Sequence, residues 1–307
     1  MVNQSISNKI LDWYDNNKRD LPWRKPRSKI QSQYFTLVSE VMLQQTQVNT
    51  VIPYFNRFIR MIPDIQSLSK VNDNKLFKLW EGLGYYSRAK NLKKAAKLIV
   101  KNKNCELPSS IEELKKLPGI GDYTSRAILA LEFNKKVIPL DGNIERLLKR
   151  VLFLRKNDEI SKENLKIKTY YFGNSIRQRD YVQALMEIGS LVCKPMNPIC
   201  DYCPIKNDCI SFKKKDFIII KKSKVNKIKY FKVNIYHDKR KILLIQNQRF
   251  NFLKNLLIFP MTEINSREYK ISNKRKTQIK MSNMDMKIIL NINNNVPIRE
   301  GKIVEYK

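Results

Sequence analysis

The sequence predicts an all-α core over residues 1–220, followed by a small α+β domain. Three observations carry that expectation. Up to about residue 220, apolar residues recur at helical spacing between short Pro and Gly turns. A Pro118-Gly119-Ile120-Gly121 break parts two such segments in the manner of a helix–hairpin–helix. Past the basic stretch KKSKVNKIKY, runs such as Lys241–Ile245 take on strand character. A length of 307 residues also exceeds what one hydrophobic core ordinarily organises, so more than one domain is expected.

Taken in order, the first informative segment is Tyr34 to Val48. Tyr34, Leu37, Val38, Val41 and Val48 make one apolar stripe, while Glu40, Leu43, Gln44 and Gln47 point elsewhere, so a helix with a polar working face is expected. The segment from Ser110 opens on a capping-box pattern with Glu113 and runs to Leu117, where the hairpin turn begins. After the second hairpin helix, Val137-Ile138-Pro139-Leu140 is extended. Asp141 then sits as an N-cap, with Ile144, Leu147, Leu148 and Val151 forming the next stripe. In the C-terminal part a turn is expected at His237-Asp238-Lys239-Arg240. The last forty residues, with Asn291, Asn293, Asn294 and Asn295, show no clear period.

The chain carries 60 Lys and Arg against 28 Asp and Glu, a formal charge of +32, and the surplus is not confined to a tail. A polyanion such as nucleic acid fits this balance, because each neutralised phosphate releases counterions. Solvation of helix faces and biased composition account for part of the same excess. A membrane helix needs about 18 uninterrupted apolar residues and none occurs; the start MVNQSISNK lacks a secretory apolar run. A cytoplasmic, monomeric protein with no membrane partner is therefore expected.

Four of the five cysteines, Cys193, Cys200, Cys203 and Cys209, fall within 17 residues with six, two and five residues between them, while Cys105 stands alone. In a chain that otherwise reads as intracellular, such clustering argues for a metal site over a disulfide framework. By ligand type alone, zinc and a 4Fe–4S cluster are equally served.

Six ordered blocks resemble the endonuclease III and MutY family of helix–hairpin–helix DNA glycosylases, over residues 11 to about 212. They are Leu21-Pro22-Trp23-Arg24, Ser39-Glu40 through Val48, Glu81-Gly82-Leu83-Gly84-Tyr85-Tyr86-Ser87-Arg88-Ala89, Leu117-Pro118-Gly119-Ile120-Gly121, Leu140-Asp141-Gly142-Asn143, and the cysteine set. The resemblance implies a six-helix domain at 28–136, an iron–sulfur helical domain from 1–27 together with 137–220, a basic linker at 221–228, and a degenerate Nudix-like domain at 229–307. The cysteine spacing then favours a 4Fe–4S cluster.

For the site, the resemblance implies that Glu40 protonates a departing adenine at N7 and later handles water, with a raised carboxyl pKa. It implies that Asp141 stabilises the sugar cation and that Asn143 orders the attacking water. Trp23, Arg24 and Gln183 would line the adenine pocket. Leu43 and Gln45 would enter the base stack, and Tyr85 would wedge near the lesion. Gly119, Ile120 and Gly121 would offer amides to a DNA phosphate. Tyr123 stands where endonuclease III relatives carry a Schiff-base lysine, so hydrolysis without efficient strand scission is expected, with Lys115, Lys116 or Lys149 left for slow cleavage. The implied partner is double-stranded DNA holding adenine opposite 8-oxoguanine or guanine. No strand precedes the Gly82/Gly84 pair, which argues against a dinucleotide fingerprint. Two other readings remain: a bifunctional glycosylase for oxidised pyrimidines, and a non-catalytic iron–sulfur DNA-binding protein. The C-terminal part lacks an acidic Nudix box and any Phe-Ser-His motif, and its one histidine, His237, lies early.

Overall fold

In the computed structural model, the described residues are 4–101, 105–154, 161–217, 227–238, 241–254, 256–281, 284–294 and 302–305. Residues 221–226 of the expected linker, Lys239 and Arg240 of the expected turn, and Asn295 lie outside them. The chain divides into two units, Met1–Ile220 and Lys221–Lys307. Among the described residues, no helix is long and apolar enough to cross a membrane.

The first unit is all-α among its described residues. Its helices are α1 (Gln4–Asn17), α2 (Lys29–Leu43), α3 (Val48–Met61), α4 (Ile65–Lys70), α5 (Asp73–Trp80), α6 (Ser87–Val100), α7 (Ile111–Lys116), α8 (Asp122–Phe133), α9 (Gly142–Val151), α10 (Lys162–Lys168), α11 (Gln178–Glu187) and α12 (Ile210–Lys213). Two hydrophobic cores form. One gathers α2 to α8 around Phe55, Phe58 and Trp80, all nearly or fully buried. Truncating an aromatic side chain of this kind to alanine costs roughly 3–5 kcal/mol. The other packs α1, α9 and α11 against the cysteine loop: Ile6, Ile10 and Tyr14, four residues apart, give α1 a single stripe that lies against α11.

The segment expected as one helix from Tyr34 to Val48 is two. Ser28 starts α2 by accepting the Gln31 amide at 3.2 Å, and the helix ends at Leu43. Gln45 takes φ +60°, and Val48 opens α3. The cause lies elsewhere in the chain. The buried Arg88 guanidinium donates to the carbonyls of Met42 at 2.8 Å, Gln44 at 2.5 Å and Leu83 at 2.9 Å, supplying partners that a continuing helix would have provided. Every residue of α2 from Ser32 to Met42 is buried, so the polar face that carries Glu40 is shielded from bulk solvent.

The hairpin joins α7 to α8. Ser110 caps α7 by accepting the Glu113 amide at 3.3 Å. Gly119 has φ +83°, and a Cβ there would come within 3.0 Å of Asn91 Cβ, so only glycine fits without strain. Ile120 plugs into the core, whereas Gly121, the N-cap of α8, faces open space.

The second unit is a sheet with one helix: β1 (Lys227–Asp238), β2 (Lys241–Gln246), β3 (Leu257–Ile258), β4 (Met261–Ile264), α13 (Ser266–Ile271), β5 (Lys276–Met281), β6 (Met284–Asn293) and β7 (Lys302–Glu305). The strands run β3-β2-β1-β6-β5, with β4 also on β1 and β7 on β2. The central β1/β6 pair is parallel, with Tyr230 opposite Lys287; the other pairings are antiparallel. Phe231, Val233, Met286 and Ile288 form the buried face, roofed by the stacked rings of Phe250 and Phe252 at 5.2 Å. The tract read as showing no clear period thus holds β5 and β6. The alternation Met286, Lys287, Ile288 is hidden in the sequence because Ile289, on the other face, is buried as well. The first strand also starts at Lys227, inside the expected linker.

Candidate active site

A cavity of about 650 Å³ opens where α2, the turn Pro22–Arg24, the first turns of α8 and α9 and one face of α11 meet. Its walls include Trp23, Arg24, Glu40, Leu43, Gln45, Tyr123, Asp141, Asn143 and Gln183. Nine residues singled out in sequence, spread from position 23 to 183, thus share one concavity. Tyr85 and the hairpin Gly119–Gly121 do not line it. Tyr85 is 46% exposed at φ +48°, with Arg88 over its ring at 5.6 Å. The hairpin is tied to the pocket rim by Gln44 Nε2, which donates to the Gly119 carbonyl at 3.3 Å. Leu43, expected off the core, packs against the larger core with part of its surface and lines the pocket with the rest.

Glu40 sits on the last turn but one of α2 and is 7% exposed. Burial pushes its carboxyl up to about 7; a hydrogen bond from Tyr123 opposes this, and the negative charge of Asp141 adds to it. Burial likewise holds the Tyr123 phenol well above its ordinary value, so the phenol stays protonated and donates. Asp141 caps α9. Its Oδ1 accepts the amides of Asn143 at 3.0 Å and Ile144 at 2.7 Å, and its Oδ2 accepts Asn143 Nδ2 at 2.9 Å. Burial raises its pKa and these three bonds pull it back. Two carboxyls in unlike settings result, one poised to give or take a proton near neutrality and one held by amide donors in a fixed orientation.

The pocket floor rests on residues that sequence reasoning missed. Glu187, fully buried one turn beyond Gln183, accepts Arg24 Nη1 at 2.5 Å and the Arg19 amide at 3.1 Å. Tyr14 Oη donates to Gln183 Oε1 at 2.6 Å. Arg146 Nη2 donates to Asn143 Oδ1 at 2.9 Å, and its Nε to the Cys193 carbonyl at 2.8 Å. Only the spacing of Gln183 and Glu187 on one helix face hinted at any of this. The lysines left for slow cleavage are not in the cavity wall: Lys149 pairs with Glu145 at 2.6 Å, and Lys115 and Lys116 are exposed.

All four clustered cysteines line a second, small cavity of about 20 Å³ beside Leu147, Val151 and Val192. Arg150, 2% exposed, donates from Nη1 to Cys193 Sγ at 3.3 Å and to the Lys194 carbonyl at 2.6 Å. A buried cation there suits an anionic thiolate set. Among the described residues, no three His, Cys, Asp or Glu side chains converge tightly enough to hold a single ion. Cys105 is a free thiol remote from this loop in sequence, accepting Gln66 Nε2 at 3.6 Å.

Buried paired carboxyls beside a helix–hairpin–helix define a base-excising DNA glycosylase, and a family model agrees: residues 38–169 match the HhH-GPD superfamily base excision DNA repair proteins. The relatives narrow the class. The adenine DNA glycosylase of Buchnera aphidicola subsp. Baizongia pistaciae is 40% identical over 258 residues, 82% of this chain and 72% of that one. That of Homo sapiens is 38% identical over 208 residues, 65% of this chain and 38% of that one. The chain belongs to the adenine DNA glycosylase family, enzymes of base excision repair that act on N-glycosyl bonds. Among solved structures, a thermostable thymine-DNA glycosylase superposes with a TM-score of 0.60 at 24% identity, over 69% of this chain and 96% of that one. A trapped endonuclease III–DNA covalent intermediate gives 0.56 at 21% identity, over 69% and 96%. These likenesses show the helical fold.

Proposed function

We propose that this enzyme hydrolyses the N-glycosidic bond of an adenine paired with 8-oxoguanine or guanine, releasing the base without cutting the strand. The observation that carries the reading is the placement of Glu40, Tyr123 and Asp141 in one cavity of base-accommodating size. The protonated Glu40 carboxyl gives its proton to adenine N7 as the C1′–N9 bond breaks, so the base leaves neutral. Asp141, held anionic in orientation by Asn143 and Ile144, faces the positive charge that develops at C1′. A water placed by Asn143 then adds to C1′ and returns its proton to Glu40. Tyr123 keeps Glu40 aimed and offers no amine for a Schiff base.

Trp23, Arg24 and Gln183 enclose the extruded base, and Leu43, Gln45 and Tyr85 face the gap it leaves in the duplex. Both Gln45 and Tyr85 sit in the left-handed region, a strain that fits residues presented to a ligand. Gly119 and Gly121 offer backbone amides to a phosphate at the start of α8, whereas the amide of Ile120, expected to join them, is held by the Leu117 carbonyl at 3.1 Å, so Ile120 shapes the turn. The four cysteines would hold a 4Fe–4S cluster, which when bound would supply a cross-link ordering the loop around Lys194. A thiol set spread about a cavity, with Arg150 against it, supports a cluster rather than one zinc ion. The two cores support a division of the helical unit close to 28–136 and 1–27 with 137–220, except that Leu21, Trp23 and Val137 pack with the first core. The sheet unit acts as a reduced Nudix-like module.

The test is single-turnover release of adenine from a duplex holding it opposite 8-oxoguanine. The wild-type chain is expected to release it, and Glu40→Gln to slow release by roughly 10²–10⁴-fold. No release by the wild type, or an unimpaired Glu40→Gln variant, overturns the proposal.

A further inference from the structure

We infer that Tyr14 is a positioning residue that locks the Gln183 side-chain amide in one orientation, and that this lock turns 6-oxopurines away from the base pocket. The inference rests on the reading above, that Gln183 meets the extruded base.

Tyr14 is 2% exposed on the buried stripe of α1, and its hydroxyl lies 2.6 Å from Gln183 Oε1. Its ring is pinned by Arg24 at 5.7 Å and Lys18 at 5.8 Å from the centroid. Gln183 is itself only 8% exposed and lines the cavity, and among the described residues its Nε2 has no hydrogen-bond partner. The amide therefore spends its oxygen on Tyr14 and turns its N–H donors to the pocket.

A primary amide can present either end by turning about its last torsion. Here the turned state is penalised. Nε2 would then donate to Tyr14 Oη, and the hydroxyl proton, buried, would need another acceptor. Among the described residues Tyr14 Oη makes no hydrogen bond other than that to Gln183, and the neighbouring Glu187 carboxylate is engaged by Arg24 at 2.5 Å and by the Arg19 amide at 3.1 Å. A buried O–H left unmatched weights the equilibrium by roughly tenfold or more against the turned amide. Burial also pushes the Tyr14 phenol up to about 12, so it remains a donor.

The consequence is chemical. Adenine carries a ring-nitrogen acceptor at N1 beside its N6 amino donor, a match for Nε2 with the second lone pair of Oε1. Hypoxanthine carries the reverse, an N1–H donor beside the O6 acceptor, and guanine shares that pattern. Only a turned amide pairs with a 6-oxopurine. N7 is left free for the proton from Glu40, so the two recognition tasks fall on different edges of the base.

The experiment measures single-turnover release of adenine and of hypoxanthine, each opposite 8-oxoguanine, by the full chain as wild type, Tyr14→Phe and Gln183→Leu. Duplex affinity and thermal unfolding serve as controls. The wild type is expected to prefer adenine strongly. Tyr14→Phe is expected to cut the adenine-to-hypoxanthine ratio by about tenfold or more, with hypoxanthine release rising in absolute rate. Gln183→Leu is expected to slow adenine release with no rise for hypoxanthine, since no amide remains to turn. A folded, duplex-binding Tyr14→Phe with the wild-type ratio overturns the inference. So does a wild type that releases hypoxanthine as fast as adenine, a result that does not depend on the variant folding. A wild type that releases no adenine would instead overturn the assignment of function.

Discussion

Tyr123, from the first turn of α8, donates a hydrogen bond to Glu40, near the end of α2, so the two helices meet at the proton that the reaction needs. The phenol favours the carboxylate while burial favours the acid, and the balance settles at about 7. Each group therefore tunes the other, and the pair can be probed from either side.

Replacing Tyr123 by Phe removes the bond that stabilises the charged form and leaves burial unopposed. The pKa of Glu40 then rises, and the fall of excision rate on the alkaline side, where the acid is lost, moves to higher pH. Single-turnover rates across the range from about pH 5 to 9 check this, and a shift to lower pH refutes it. Neither protein is expected to yield a covalent complex with DNA under borohydride.

Glu40 also has a price in stability. Its folded pKa lies above the ordinary 4.5, so the folded state favours the protonated form. The penalty is absent below the unfolded value, grows as pH rises through the interval, and is complete above about 7. Glu40→Gln should accordingly unfold at higher temperature or denaturant than the wild type near pH 8, by on the order of 3 kcal/mol, with the gap closing near pH 5. Equal stability at both pH values would show that the carboxyl is not strained by burial.

Protein prepared without oxygen should contain four irons per chain and absorb in the visible iron–sulfur region. Cys200→Ala should lose the colour, unfold at a lower temperature and bind duplex more weakly. Colourless protein with one zinc per chain contradicts the cluster.

Gly119→Ala places a side chain at φ +83° against Asn91, a strain of roughly 1–2 kcal/mol. Duplex affinity should fall about tenfold while the excision rate at saturation holds. Unchanged affinity would remove the hairpin from the phosphate contact.

Removing the sheet unit tests its role. If that unit reads the oxidised base, residues 1–225 should excise adenine opposite 8-oxoguanine and opposite guanine with a smaller preference than the full chain. Equal preference in both means that lesion reading resides in the helical unit.

The hairpin, the Asp141 cap and most of the pocket were legible because their signals are local: a Gly119-Ile120-Gly121 turn, an acidic N-cap and short blocks. The end of α2 was not. Leu43-Gln44-Gln45-Thr46-Gln47-Val48 contains neither Gly nor Pro, and the helix stops because Arg88, more than forty residues on, captures its carbonyls. Tyr14 escaped for the opposite reason. It continues the stripe of Ile6 and Ile10, so it reads as core, and its hydroxyl acquires meaning only when α11 is laid against it. In the sheet unit, β6 was obscured because strand alternation fails where both faces are covered.

The parallel pairing of β1 with β6 bears on how the chain is made. Its middle strand finds its main partner only after the segment from β2 to β5 has been looped out, and loop closure must precede the stabilising contacts. The helical unit also relies on distant pairs, α1 with α11 and α2 with α8, but all of them lie upstream of β1, so it can settle while translation of the sheet continues. Ribosome-bound nascent chains should thus acquire the base pocket well before the sheet closes, and β1, long and edge-exposed in the interval, is the segment most open to pairing with another chain.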